Sequence, residues 1–216
     1  MTPPDAVRHA GSQTMTSDTN DRPIGEVAPR RATVQYPGGL AARYRWTGSG
    51  EGVAAFGPTE AGGRLVDLGE LVSPDPDRLC RAELRVEGPL GAWTARFASV
   101  IFDEPRGVFW DAAGLLVIGY GFLAYGLNGR TGDLAWTHQS ATPLVAVLAS
   151  TRMDHVILQG EVETVAVDAR GVPVWRVAHS DVVAEAELIG GALVLTSYSG
   201  DHQALDPRTG LSSTAR

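Results

Sequence analysis

The sequence predicts an all-β chain: about four copies of one four-stranded antiparallel sheet, arranged as a small or partial ring of blades. Three observations carry that expectation. Gly132, Gly171 and Gly210 follow one another at intervals of 39 residues, and Trp136 and Trp175 stand at the same interval. Each copy reads as an apolar run, a break, a second run ending in Asn or Asp, a Gly turn and an apolar run carrying Trp. From Ala32 onward, sixteen or seventeen short β-prone runs alternate with Gly and Pro breaks.

Composition narrows the function. At 216 residues and 44% hydrophobic content, one all-β domain can bury a sizeable core. A net charge of −7 with no basic stripe argues against a nucleic-acid partner. All 18 basic residues are Arg, which removes Schiff-base chemistry and phosphate-loop lysines and hints at a GC-rich bacterial genome. Cys80 is the single cysteine, so an internal disulfide and a cysteine zinc site are both excluded. The N-terminus lacks an apolar signal core and no apolar run is long enough to cross a bilayer. The expected compartment is therefore the cytoplasm, with no membrane partner.

In chain order, residues 1–30 are rich in Pro, Ser, Thr and Asp and read as a disordered tail ahead of one domain over 31–216. Residues 32–36, 42–46, 52–56 and 64–71 read as meander strands. Ser73 to Asp77 is a Pro-punctuated loop, and 81–86 and 92–97 flank a hairpin turn. This pair reads as a weak early copy, with Trp93 in the place of Trp136. Residues 98–102 and 107–110 bracket a turn, and the strong repeats fill 107–216. Runs at 144–149 and 184–190 supply the first strands of the next two copies.

With one residue deleted from the middle copy, Asn128, Asp168 and Asp206 align, each at a strand end where a short acceptor side chain can hold turn N–H groups. Gly126, Ala166 and Ala204 align two positions earlier. The pattern Ala-x-Asp-x-x-Thr-Gly-[Asp/Glu]-x-x-Trp resembles the tryptophan docking motif of quinoprotein-type (PQQ-like) β-propeller repeats, over roughly the C-terminal half of the chain. The first strong copy keeps Thr131, Gly132, Asp133 and Trp136. The second keeps Ala166, Asp168, Gly171 and Trp175 without the Thr. The third keeps Ala204, Asp206, Thr209 and Gly210 and carries no Trp. The resemblance implies a propeller in which the indoles pack between blades; it implies no cofactor. With the last copy lacking its fourth strand, an N-terminal strand is expected to complete the last blade.

Chemical motifs are sparse. Gly119 to Ala124 satisfies G-x-G-x-x-A, but Gly126, Gly129 and Gly132 follow where a helix would be required, so a hairpin turn is the better reading. Glu185 and Glu187 share one face of a strand expected to line the central channel, with His179 and Asp181 in the loop before it. These four are the candidate ligand-binding residues, weighed against a plain polar strand face. No catalytic residue, metal site or cofactor is assigned. The expected function is a non-catalytic cytoplasmic scaffold with a protein partner. The alternatives are a small-molecule- or metal-binding propeller, enzymatic or not, that uses the channel mouth, and an immunity or regulatory partner protein.

Overall fold

A computed structural model describes residues 28–56, 63–89 and 91–212. Most of the expected tail, residues 1–27, lies outside the described residues, and the first strand begins at Arg30. Blade 1 is a five-stranded sheet of β1 (Arg30–Tyr36), β2 (Leu40–Thr47), β3 (Arg64–Asp67), β4 (Cys80–Gly88) and β5 (Gly91–Ser99), in the order β1-β2-β4-β5-β3. Blade 2 is the meander β6 (Arg106–Trp110), β7 (Leu115–Tyr120), β8 (Leu123–Asn128) and β9 (Leu134–Gln139). Blade 3 repeats it with β10 (Leu144–Leu148), β11 (Val156–Gly160), β12 (Glu163–Val167) and β13 (Pro173–Ala178). Blade 4 has three strands, β14 (Val183–Ile189), β15 (Ala192–Ser197) and β16 (His202–Leu205).

Pairing register shows that the blades are copies. Val34, Ala42, Val86 and Trp93 stand side by side across blade 1. Val108, Val117, Gly126 and Trp136 form the same row in blade 2, and Leu148, Ile157, Ala166 and Trp175 form it in blade 3. In blade 4 the row is Glu187, Val194 and Ala204. Because successive side chains of a strand point to opposite faces, this row faces the following blade and its neighbours face the preceding one.

Three apolar cores result, one at each junction. Ala42, Val86, Trp93 and Phe97 of blade 1 meet Ile118 and Tyr125 of blade 2. Val117 and Trp136 meet Val147, Leu158 and Val165. Ile157, Leu148 and Trp175 meet Ala186, Leu195 and Leu205. This stack of twisted antiparallel sheets, each joined outer strand to inner strand, is a partial β-propeller.

Several local expectations are corrected. The apolar run at 52–56 is a helical turn, α1 (Gly52–Ala55), rather than a strand, and it lies against blade 1. The segment 64–71 keeps strand structure only to Asp67, and β3 pairs with β5 in parallel. The run at 98–102 leaves the sheet at Ser99, with Val100 and Phe102 exposed. No described N-terminal strand completes the last blade: β1 is held to β2 through seven cross-strand pairs, and Ala32 and Tyr36 pack on the first core. Moving β1 to blade 4 would return those side chains to water. The chain instead turns back after Asp206, where Leu205 bridges Ser212.

Candidate functional site

The motif residues build the joints on which every other surface depends. Asn128 Oδ1 accepts from the backbone N–H of Arg130 and Thr131 at 3.0 and 3.2 Å. Asp168 Oδ1 accepts from Arg170 and Val172, both at 2.9 Å, and Asp206 Oδ1 accepts from Arg208 at 2.8 Å. Each turn then donates a backbone N–H from Gly132, Gly171 or Gly210 back to the carbonyl of its Asn or Asp, at 2.8, 2.9 and 2.8 Å. Those three glycines have φ of 73°, 79° and 71°, and a Cβ on any of them would lie 2.6–2.8 Å from the indole side chain of the preceding blade. Trp93 covers Gly132, Trp136 covers Gly171 and Trp175 covers Gly210. Thr131 donates to Asp133 at 2.6 Å and braces the first turn; Ala166 and Ala204 sit in the rows described above, and Thr209 Oγ1 accepts from Leu211 N–H at 3.3 Å.

Glu185 and Glu187 lie on the innermost strand of blade 4, β14, yet they do not line a channel. A radial sheet turns its edge to the axis and its faces to neighbouring blades, so both carboxylates stand on the exposed face of blade 4 opposite Thr196 and Val194. His179 lies elsewhere, just beyond β13, where its Nε2–H donates to Thr164 Oγ1 at 2.7 Å while Thr164 donates to Gln159 Oε1 at 2.6 Å. Gln159 and Thr164 are fully buried, so this chain of bonds satisfies a polar core position rather than an open site. Asp181 accepts from Ser199 Oγ at 2.5 Å and from Val182 N–H at 2.7 Å, and the Ser199 bond above all holds its carboxyl below the usual range. The four residues are thus divided among three settings. Among the described residues no three His, Cys, Asp or Glu side chains gather as metal ligands, and no helix is long and apolar enough to cross a membrane.

The mouth near the axis is built from other residues. The starts of the three inner strands β6, β10 and β14 converge there and bring Arg106, Leu144 and Val183 around a cleft of about 280 Å³. Phe102 and Tyr198 complete its wall, 47% and 79% exposed, and Val100 beside Ile101 is 64% exposed. The Arg30 guanidinium sits 4.9 Å from the Phe102 ring and steadies it by a cation–π contact. At the mouth, Arg106 donates to both oxygens of Asp103 at 2.9 Å and the Glu161 backbone N–H donates to Thr142 Oγ1 at 2.9 Å, while the Glu161 carboxylate forms no ion pair with a described cation. Exposed aromatic side chains beside a paired Arg106 and Asp103 suit contact with a protein surface. Phe102, Pro143 and Val182 stand just ahead of inner strands, which is the signal the sequence offers for them; Tyr198 follows β15 and carries no such mark.

No family model matches the chain, and no curated protein matches it. Among solved structures it is similar to BamB from Moraxella catarrhalis, at 21% identity and a TM-score of 0.47, over 62% of this chain and 42% of that one. It is similar to the Pan2 WD40 domain of Neurospora crassa at 18% identity and a TM-score of 0.43, over 50% and 36%. It is also similar to the computationally designed Ika4 protein at 14% identity and a TM-score of 0.43, over 48% and 66%. The chain thus spans less than half the length of BamB and of the Pan2 domain. The architecture of this chain is read from its own four sheets.

Two further expectations arise from this geometry. His155 is buried between blades 3 and 4, with Nε2 donating to the Pro207 carbonyl at 2.7 Å and its ring edge-on to Trp175 at 6.0 Å. His155→Ala leaves that buried carbonyl without its donor and should cost about 1–3 kcal/mol, read by urea unfolding.

His138 and His179 are both pushed below the ordinary value of 6.5, chiefly by burial. The folded state then binds fewer protons than the unfolded state, so their contribution is present above the unfolded value and is lost as pH falls below it. The melting temperature should drop between about pH 7.5 and about pH 5.5. Replacing His138 and His179 together with Gln should flatten that slope. The lowered Asp carboxyls titrate only at more acid pH.

Proposed function

We propose that this chain is a non-catalytic protein-interaction scaffold of the quinoprotein-like repeat type, one folded unit over 31–216 acting in the cytoplasm, whose partner is a protein held at the mouth near the axis. The observation that carries this reading is the exposed pair Phe102 and Tyr198 on the wall of a shallow cleft in which Arg106 is already paired with Asp103. Rigid sheets joined by buried indoles present such a wall without reorganisation, which keeps the entropic cost of binding low. Aromatic anchors at the centre of a patch are the side chains on which protein interfaces most depend. The lack of a lysine and, among the described residues, of a gathered ligand set and of a nucleophile with its base also favours binding over catalysis.

Affinity purification from the native cell tests this. Wild-type protein should retain one protein in a one-to-one ratio, and the double variant Phe102→Ser, Tyr198→Ser should lose it while keeping the wild-type melting temperature. Retention by the double variant, or stoichiometric metal or metabolite in place of a protein, would overturn the reading.

A further inference from the structure

We propose that the two free ends of the blade stack recognise each other in a second copy of this chain, so that two chains close head to tail into one eight-bladed ring. The observation is a reversal of chemistry at corresponding positions. The face that each blade turns to its predecessor carries the row Gly107, Ile118 and Tyr125 in blade 2, Val147, Leu158 and Val165 in blade 3, and Ala186, Leu195 and Gln203 in blade 4. In blade 1 the same row is Thr33, Arg43 and Arg85. The face turned to a following blade carries Val108 and then Leu148 at one position, and at that position blade 4 carries Glu187. Two residues earlier, Arg106 and Ala146 are followed by Glu185.

Polar ends alone would be ordinary protection for a terminal repeat. The distribution of sign goes further. On blade 1, Glu87 is shared by Arg43 and Arg85 at 3.3 and 2.8 Å, and Glu83 is shared by Arg45 and Arg96. Around Arg43 and Arg85 four guanidiniums therefore share two carboxylates, so that part of the face has positive charge in surplus, while Arg81 further along is answered by both Asp67 and Asp77. The α1 segment covers the Arg81 and Arg96 side of the face, where Arg96 donates to the Phe56 carbonyl at 2.5 Å, and leaves Arg43 with 58% of its side chain exposed. Blade 4 shows the opposite: Glu185 and Glu187 form no ion pair with any described cation, and they share their face with Val194, Ala204 and the 54% exposed Ile189. Leu148 and Ala146 pack into the cluster that holds Leu195 and Ala186. The same junction drawn from blade 4 to blade 1 of a second copy sets Glu187 and Glu185 against Arg43 and Thr33. Fixed opposite charges at a self-complementary junction give register as well as attraction.

The four described blades also bear on the stoichiometry, since within one chain Arg43 pairs with Glu87 and Glu187 with no described cation, so the two ends do not meet each other. A head-to-tail contact closes or propagates, and propellers close with four to eight blades, so two chains reach the upper end of that range and three exceed it.

Sedimentation equilibrium of the full chain tests this. Wild-type protein should give about twice the 22.8 kDa chain mass, dissociating as salt is raised. Glu187→Arg alone and Arg43→Glu alone should each halve the mass without changing circular dichroism or melting of the monomer. Mixing the two variants should restore the doubled mass, since one junction is then wild-type and the other carries the pair exchanged. A wild-type monomer at every concentration, a mass that climbs past two chains, or a dimer indifferent to both charge reversals would each overturn the proposal.

Discussion

Trp136→Ala should lower unfolding stability by about 3–5 kcal/mol, the range for emptying a buried indole site, and should do so by uncoupling blade 3 from blade 2. Trp136 is 7% exposed and stands in the core formed with Leu144, Val147 and Leu158. Its indole covers Gly171, so the void would open directly over the turn that Asp168 organises. Neither neighbour can collapse into it, because Gly171 has no side chain and Gly126, beneath the ring, has none either. Urea unfolding followed by circular dichroism measures the loss. Hydrogen exchange should localise it, with amides of blades 3 and 4 exchanging faster than those of blade 1. A loss below about 1 kcal/mol would mean that the indole is incidental to the joint.

The repeat was legible because its physics is local. A short acceptor, a left-handed Gly and a Trp at fixed spacing encode one turn and one joint, and the spacing survives however the blades are arranged. What was illegible depended on contacts far apart in sequence. Nothing in GVAAF distinguishes a short strand from a helical turn; the distinction comes from packing over Arg81 and Arg96. The parallel pairing of Arg64–Asp67 with β5 likewise joins segments that no local pattern links. The mouth escaped for the same reason, since Phe102 and Tyr198 become neighbours only when inner strands converge. Glu185 and Glu187 were visible as a shared strand face, but whether that face looks at an axis or at a neighbouring blade is a property of the stack. Once the rows are aligned, the substitution of Glu187 for Leu148 and Val108 is readable from sequence alone.

Gly132→Val should be the most damaging single change in the first joint, costing about 3–5 kcal/mol from two sources that act together. The first is backbone strain: φ is 73° at Gly132, a region that β-branched residues scarcely populate, and forcing one there costs of the order of 1–3 kcal/mol. The second is space. A Cβ at Gly132 would lie 2.7 Å from the Trp93 ring, which is 2% exposed and donates its Nε1–H to the Gly129 carbonyl at 3.1 Å. Trp93 would have to move, breaking that bond and opening the core it shares with Ile118, Tyr125 and Leu127. Gly132→Ala carries the strain and the Cβ contact but not the branched methyls, so it takes the smaller share of the space penalty. It should fall between wild type and Val in thermal unfolding, and its Trp93 fluorescence should already shift to the red as the ring becomes wetter. Equal losses for Ala and Val with no shift in tryptophan emission in either would assign the whole effect to backbone strain and leave the indole with no part in the joint.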